Sequence, residues 1–191
     1  LDDQGIADDT LVMILSDNGA SAEGGPTGTL NEAAGWLGFT EDVGTALEHI
    51  DDIGGPDANN HYPWGWAWAG NAPLRLWKRY AWLGGVRTPL IVRWGQRLAG
   101  QGSVRPQFCH AVDLYATVLD AAGIEVPESV DGVTQQPVDG ASMLASFSDP
   151  AAPEHRTLQY FEMMGSRGIY HDGWKAVTDH VANQFGERDH V

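Results

Sequence analysis

The sequence predicts an α/β core with a small antiparallel piece appended at its C-terminal end. Three observations carry that expectation. The apolar run Leu11-Val-Met-Ile-Leu15 stops at Ser16-Asp17-Asn18-Gly19, the pattern of a strand buried on both faces of a parallel sheet and ending in a loop. A second strand signal at 89–94 precedes a helical pattern over 110–123. Near the end, Asp172-Gly173 lies between apolar flanks, a strong hairpin signal. The division falls after residue 153, with 1–153 as the core part and 154–191 as the start of the small subdomain.

Taken in order, Leu1-Asp-Asp-Gln-Gly5 reads as the last turn of a helix closed by a glycine. With no initiator methionine, the chain reads as the C-terminal portion of a longer protein. After the first strand comes the glycine-rich stretch 21–29, which lacks the Gly-Lys-Ser/Thr ending of a phosphate-binding loop and reads as an irregular loop. Residues 40–50 read as a helix with Thr40 as N-cap, ended by Asp51-Asp-Ile-Gly-Gly-Pro56. A long loop then carries His61-Tyr-Pro-Trp-Gly-Trp-Ala-Trp68 and Asn71-Ala-Pro-Leu-Arg-Leu-Trp-Lys78. Loops of this length are functional or disordered, and dense aromatics argue against disorder. Gly84-Gly-Val-Arg-Thr88 turns into the second strand, where Pro89 is tolerable at the first position. Val112, Tyr115, Leu119 and Ala122 recur at helical spacing, with Gly123 as terminator. Residues 125–153, rich in proline and aspartate, read as a surface connector, and 158–161 and 168–177 as strands.

A chain of 191 residues holds one good core plus a small appendage. Acidic residues outnumber basic ones, 26 to 11, for a net charge of -15. That balance predicts a soluble chain and argues against nucleic acid or an anionic membrane as partner. No apolar run reaches the length of a membrane span, and no signal peptide precedes the first strand. The single cysteine, Cys109, excludes an internal disulfide framework and multi-cysteine metal sites. Four of the eight tryptophans fall between Trp64 and Trp77 and predict one aromatic wall.

Asp17 and Asn18 stand where open α/β sheets bind ligands, beyond the carboxyl end of a strand. Their oxygens suit calcium or magnesium. They read equally as a turn whose side chains bond only their own backbone. Lys78, on its own, reads as a solvated lysine whose stem packs on Trp77. Trp64, Trp66 and Trp68 either line an aryl pocket or pack their loop onto the sheet. His61 either faces substrate or is exposed. His110 reads as structural at a helix start, Cys109 as a small apolar residue, Arg87 as an ion-pairing support for the lysine loop, and Arg167 and Lys175 as surface or packing residues.

Leu1 through Gly19 resembles the second metal-binding segment of the sulfatases, in the alkaline-phosphatase-like superfamily. Trp77-Lys78 with Gly84-Gly-Val-Arg-Thr-Pro89, the helix 110–123 and the hairpin 168–175 resemble further segments of that family, in its order. The aromatic loop with Gly24-Gly-Pro-Thr-Gly-Thr29 is similar to the bacterial arylsulfatase branch. The resemblance implies an alkaline-phosphatase-like three-layer sandwich and hydrolysis of a small-molecule sulfate ester, an aryl sulfate. It implies that Asp17 and Asn18 ligate calcium (Ca2+), with magnesium (Mg2+) as the alternative, and that Lys78 contacts the sulfate. His61, Trp66 and Trp68 become candidate substrate contacts.

The family's formylglycine nucleophile arises in a Cys/Ser-x-Pro-x-Arg motif, and Gln107-Phe-Cys-His-Ala111 is not that motif. The resemblance therefore places the formylglycine and the remaining metal ligands in an N-terminal half of the same protein, outside this chain. The chain alone is expected to lack sulfatase activity and to bind calcium poorly. A cytoplasmic or periplasmic bacterial protein is the expected setting. Two rival readings stand: a phosphodiesterase or phosphonate monoester hydrolase of the same superfamily, and a non-catalytic metal- or partner-binding module decayed from half an enzyme.

Overall fold

The computed structural model describes residues 1–98, 100 and 102–178. Its fold is mixed α/β with small antiparallel sheets. Two compact units are present. One comprises Leu1–Leu15, Leu90–Gln159 and Tyr170–Trp174; of the described residues, the other comprises Ser16–Pro89, Tyr160–Ile169 and 175–178.

In the first unit, a short 3-10 turn, Asp2–Gln4, ends at Gly5 in the left-handed conformation, as its sequence predicts. Strand β1 (Val12–Leu15) pairs with β2 (Leu90–Arg93) in antiparallel register, Ile14 opposite Ile91. The expectation of a strand buried on both faces of a parallel sheet is therefore corrected. Leu90 and Val92 pack on a core of Trp94, Met143 and Phe147, whereas Ile14 and Ile91 are about 60 % exposed. An apolar run in a two-stranded ladder has one covered face, so the run alone does not reveal whether both are covered.

Helix α5 (Asp113–Ala122) ends at Gly123 in the left-handed conformation, as predicted. Its buried side differs from the apolar pattern, because Tyr115 is exposed while Asp113 and Thr117 are completely buried. Polar residues occupy the inner face because each finds partners. Thr117 Oγ1 donates to the Asp113 carbonyl (2.7 Å) and accepts from the Met143 amide (3.1 Å). The Asp113 carboxylate accepts from Arg156 Nη2 (2.5 Å), His155 Nε2 (3.0 Å) and the amides of His110 and Ala141. Burial opposes ionisation of Asp113, but these donors outweigh it and hold the carboxyl far below its ordinary range.

Residues 125–153 are more than the surface connector that their composition predicts. The hairpin β3 (Ser129–Val130) and β4 (Val133–Thr134) turns at Asp131-Gly132, both at positive φ. Helix α6 (Leu144–Ser148) follows Met143 and carries Phe147, and these two residues form the buried core together with Trp94. Cys109 is half-buried against that core, and burial raises its thiol pKa, consistent with a small apolar residue and not a nucleophile. Strands β5 (Leu158–Met163), β6 (Ser166–His171) and β7 (Trp174–Thr178) form a sheet in that order. Asp172 and Gly173, at φ 46° and 84°, make the predicted tight turn.

In the second unit, helix α1 (Glu32–Trp36) is capped by Asn31. Helix α2 (Val43–Glu48) begins later than predicted and is capped by Asp42, whose carboxylate accepts from the Thr45 amide (3.0 Å). Thr40 is not the cap, because Glu41 is occupied elsewhere: its carboxylate accepts from the amides of Leu30 (2.6 Å) and Asn31 (2.9 Å). The excursion bearing α1 and α2 is closed at its base. Thr29 and His61 exchange backbone hydrogen bonds (2.9 and 2.8 Å), and the Glu32 amide donates to Asn59 (2.9 Å).

The aromatic stretch predicted as loop forms helix α3 (Trp64–Asn71). Ala67 is fully buried, and Trp64 and Trp68, four residues apart on one face, meet Trp77 at ring separations of 6.2 and 5.6 Å. That packing stabilises a helix over a segment containing two glycines. The single turn α4 (Leu83–Val86) carries Gly84 and Gly85.

Candidate active site

The loop after β1 and the segment 71–85 are held together by backbone contact. The Gly19 amide donates to the Gly85 carbonyl (2.9 Å), and the Lys78 amide donates to the Ala20 carbonyl (2.9 Å). A Cβ on Gly19 would stand 1.6 Å from the Gly84 oxygen, and one on Gly84 would stand 2.0 Å from the Leu76 oxygen. Only glycines allow this approach. Asn71 braces the same junction, its Oδ1 accepting from the Ala20 amide (3.0 Å) and its Nδ2 donating to the Leu76 carbonyl (2.8 Å).

Asp17 and Asn18 open this loop. The Asp17 carboxylate is exposed and makes no hydrogen bond or ion pair among the described residues. Asn18 Nδ2 donates to the Gly19 carbonyl (2.9 Å), which leaves Oδ1 as the amide's coordinating atom. Ser16 Oγ donates to the Asn18 carbonyl (2.8 Å), and Thr88 Oγ1 donates to the Ser16 carbonyl (2.9 Å). Two oxygen donors at the head of a braced loop fit a hard cation. They are a minority of the six to eight ligands such an ion takes. Among the described residues, no cluster of three or more His, Cys, Asp or Glu side chains supplies the rest.

Lys78 is not a freely solvated lysine. Its Nζ lies 2.6 Å from Glu23 Oε2, with the lysine side chain 36 % exposed and the glutamate 14 %. Ser21 Oγ donates to the same Glu23 oxygen (2.8 Å). Burial opposes ionisation of Glu23, but the hydrogen bonds from Lys78 and Ser21 prevail and its carboxyl lies below the ordinary range. Glu23 was not singled out by sequence, since 55 residues separate it from Lys78 and its loop carries no ligand motif. Asn71, 51 residues from Ala20, has no local signal either.

The other candidates fall around this junction. His61 is half-buried, with Nδ1 3.1 Å from the Tyr62 carbonyl, and Tyr62 Oη accepts from the Ser21 amide (3.1 Å). Trp68 packs on Trp77 beside Lys78 and is half exposed, while Trp66, on the opposite side of α3, is 68 % exposed. Arg87 is exposed and makes no ion pair among the described residues, so the support expected of it is supplied by Asn71 and Glu23 instead. Lys175 lies over the Phe161 ring at 4.1 Å, and burial lowers its ammonium pKa to about 8, a packing role as predicted.

Comparison with known proteins covers this whole region. Residues 1–124 match the Sulfatase family model, and residues 75–177 match that for the N-sulphoglucosamine sulphohydrolase C-terminal region. An uncharacterized sulfatase of Schizosaccharomyces pombe is 27 % identical over 176 residues, covering 91 % of this chain and 30 % of that protein. Mouse steryl-sulfatase is 27 % identical over 182 residues, covering 92 % of this chain and 22 % of that protein. Rat steryl-sulfatase is 28 % identical over 145 residues, covering 75 % and 18 %. The chain thus spans less than a third of the length of these relatives. With a family match over residues 1–124, more than half of its length, the chain belongs to the sulfatase family, whose fold is α/β of the alkaline-phosphatase-like kind.

Proposed function

We propose that this chain supplies one side of the active site of an arylsulfatase, which hydrolyses the sulfate ester of an aryl alcohol. The observation that carries the reading is the fastening of Lys78 to the Asp17-Asn18 loop through the Ala20 carbonyl. That brace keeps a cationic donor and two oxygen ligands on one rigid junction. Asp17 and Asn18 would hold a divalent cation, calcium or magnesium. Such an ion neutralises charge on a sulfate oxygen and on the attacking group. Lys78 offers ammonium hydrogens to sulfate oxygens, whose charge grows toward the leaving oxygen as the S–O bond breaks. Trp68, Trp66 and His61 would face the aryl group, where flat rings bury apolar area with defined geometry. The nucleophile, a formylglycine, belongs to a part of the protein outside this chain, and the chain alone is proposed to be inactive.

The test uses the full-length protein and an aryl sulfate. Lys78→Ala is expected to lower kcat by about a hundredfold, the effect of deleting one positioned donor, with metal content unchanged. Asp17→Ala is expected to lower both calcium content and turnover. An unchanged rate in Lys78→Ala, or undiminished calcium in Asp17→Ala, would refute the assigned roles. Faster cleavage of a phosphate diester than of the aryl sulfate would move the protein to the phosphoryl hydrolases of the superfamily.

A further inference from the structure

We propose that Glu23 is the positioning residue for Lys78, fixing where the lysine ammonium stands relative to the sulfate ester. The inference rests on the reading of Lys78 as a sulfate contact. A lysine side chain loses rotamer entropy when it is held in one conformation. Here that ordering is built in before substrate arrives. The residue is tied at its root by its amide to Ala20 (2.9 Å) and at its tip by Nζ to Glu23 Oε2 (2.6 Å). Glu23 is itself fixed: Ser21 Oγ donates to Oε2 (2.8 Å) and accepts from the Glu23 amide (3.3 Å). The peptide beneath is confined as well, since a Cβ at Gly24 would stand 2.4 Å from the Tyr62 carbonyl oxygen. An ammonium has three hydrogens, so one bond to Glu23 leaves two for sulfate oxygens.

The arrangement has a kinetic signature. A carboxylate beside the ammonium weakens its raw attraction for an anionic ester, so Glu23 does not serve ground-state binding. Its service is direction, which is felt in the transition state and therefore in kcat. Glu23→Gln keeps the shape and the Ser21 bond but removes the charge that holds the ammonium.

In the full-length protein acting on an aryl sulfate, Glu23→Gln is expected to lower kcat about tenfold without raising KM. Ser21→Ala, which loosens the carboxylate, is expected to give a smaller loss of the same kind. Both are read against their thermal midpoints, so that a folding defect is visible. The deciding measurement is the double variant Glu23→Gln/Lys78→Ala, which should be no slower than Lys78→Ala alone. A kcat unchanged in Glu23→Gln would overturn the proposal, as would the same fractional loss with or without Lys78. If Lys78→Ala itself leaves the rate intact, the assignment of the lysine falls first and this one falls with it. That outcome is distinct from a failure confined to Glu23.

Discussion

Asp113 shows what one buried charge does in this chain. It is fully buried, with Arg156, His155 and two backbone amides around its carboxylate. A paired charge of this kind is a weak net stabiliser, but removing one partner leaves the other uncompensated. Asp113→Ala is therefore expected to destabilise the chain by about 3 kcal/mol, measured by denaturant unfolding. The pH dependence has a definite sign. The folded carboxyl pKa lies below the unfolded value, so the stabilisation is fully present above the ordinary carboxylate range and is lost as pH falls below it. His110 acts in the same direction at higher pH: burial, then the charge of Arg156, lower its pKa, so its protonation in mild acid also favours the unfolded chain. The thermal midpoint should accordingly fall in two stages on acidification, and Asp113→Ala should diminish the lower one, leaving the part that Glu23 and Glu41 contribute. Sequence marks His110 as structural but does not point to Asp113. Asp113 lies within an apolar helical repeat, and its partners Arg156 and His155 lie some forty residues on.

At the scale of elements, what was legible was local. Helix α5 with its terminal glycine and the Asp172-Gly173 hairpin follow from signals within a few residues, and both formed. The Asp131-Gly132 hairpin carries the same turn chemistry, yet it was hidden in a stretch judged by its proline and aspartate content. Helix α3 reads as loop because of its two glycines and the flanking Pro63 and Pro73, whereas the Trp64 and Trp68 contacts with Trp77 decide otherwise. The pairing of β1 with β2 was beyond reach, since 74 residues separate Leu15 from Pro89 and a strand's own composition does not name its neighbour. Of the proposed site, Asp17, Asn18 and Lys78 are legible as motif residues, whereas Glu23 and Asn71, bonded to Lys78 and Ala20 across more than fifty residues, carry no local signal. The tightest constraint on any element is the crossing of Gly19 over Gly84. Gly19→Ala is expected to displace the loop and lower the melting temperature by several degrees, about what 1–3 kcal/mol of overpacking produces. A melting curve equal to the parent's would mean that the crossing yields easily.

For the molecule as a whole, charge sets the behaviour in solution. A net charge of -15 on 191 residues makes the folded state self-repelling. Raising sodium chloride from about 10 mM to about 150 mM shortens the screening length from about 30 Å to about 8 Å and should raise the melting temperature. A decrease would show that favourable ion pairs, such as Lys78–Glu23, outweigh the general repulsion. Among the described residues no helix is long and apolar enough to cross a membrane. The closed base of the 32–58 excursion, with Thr29 and His61 bonded in both directions, has a further effect on this molecule. Everything beyond that seam hangs from a fixed pair of points. Lengthening or trimming it alters closure entropy only slowly, by about 0.6 kcal/mol for each doubling. Lengthening or shortening the excursion is therefore expected to leave Ser21, Glu23 and Lys78 in register, because the seam at Thr29 and His61 holds its two ends.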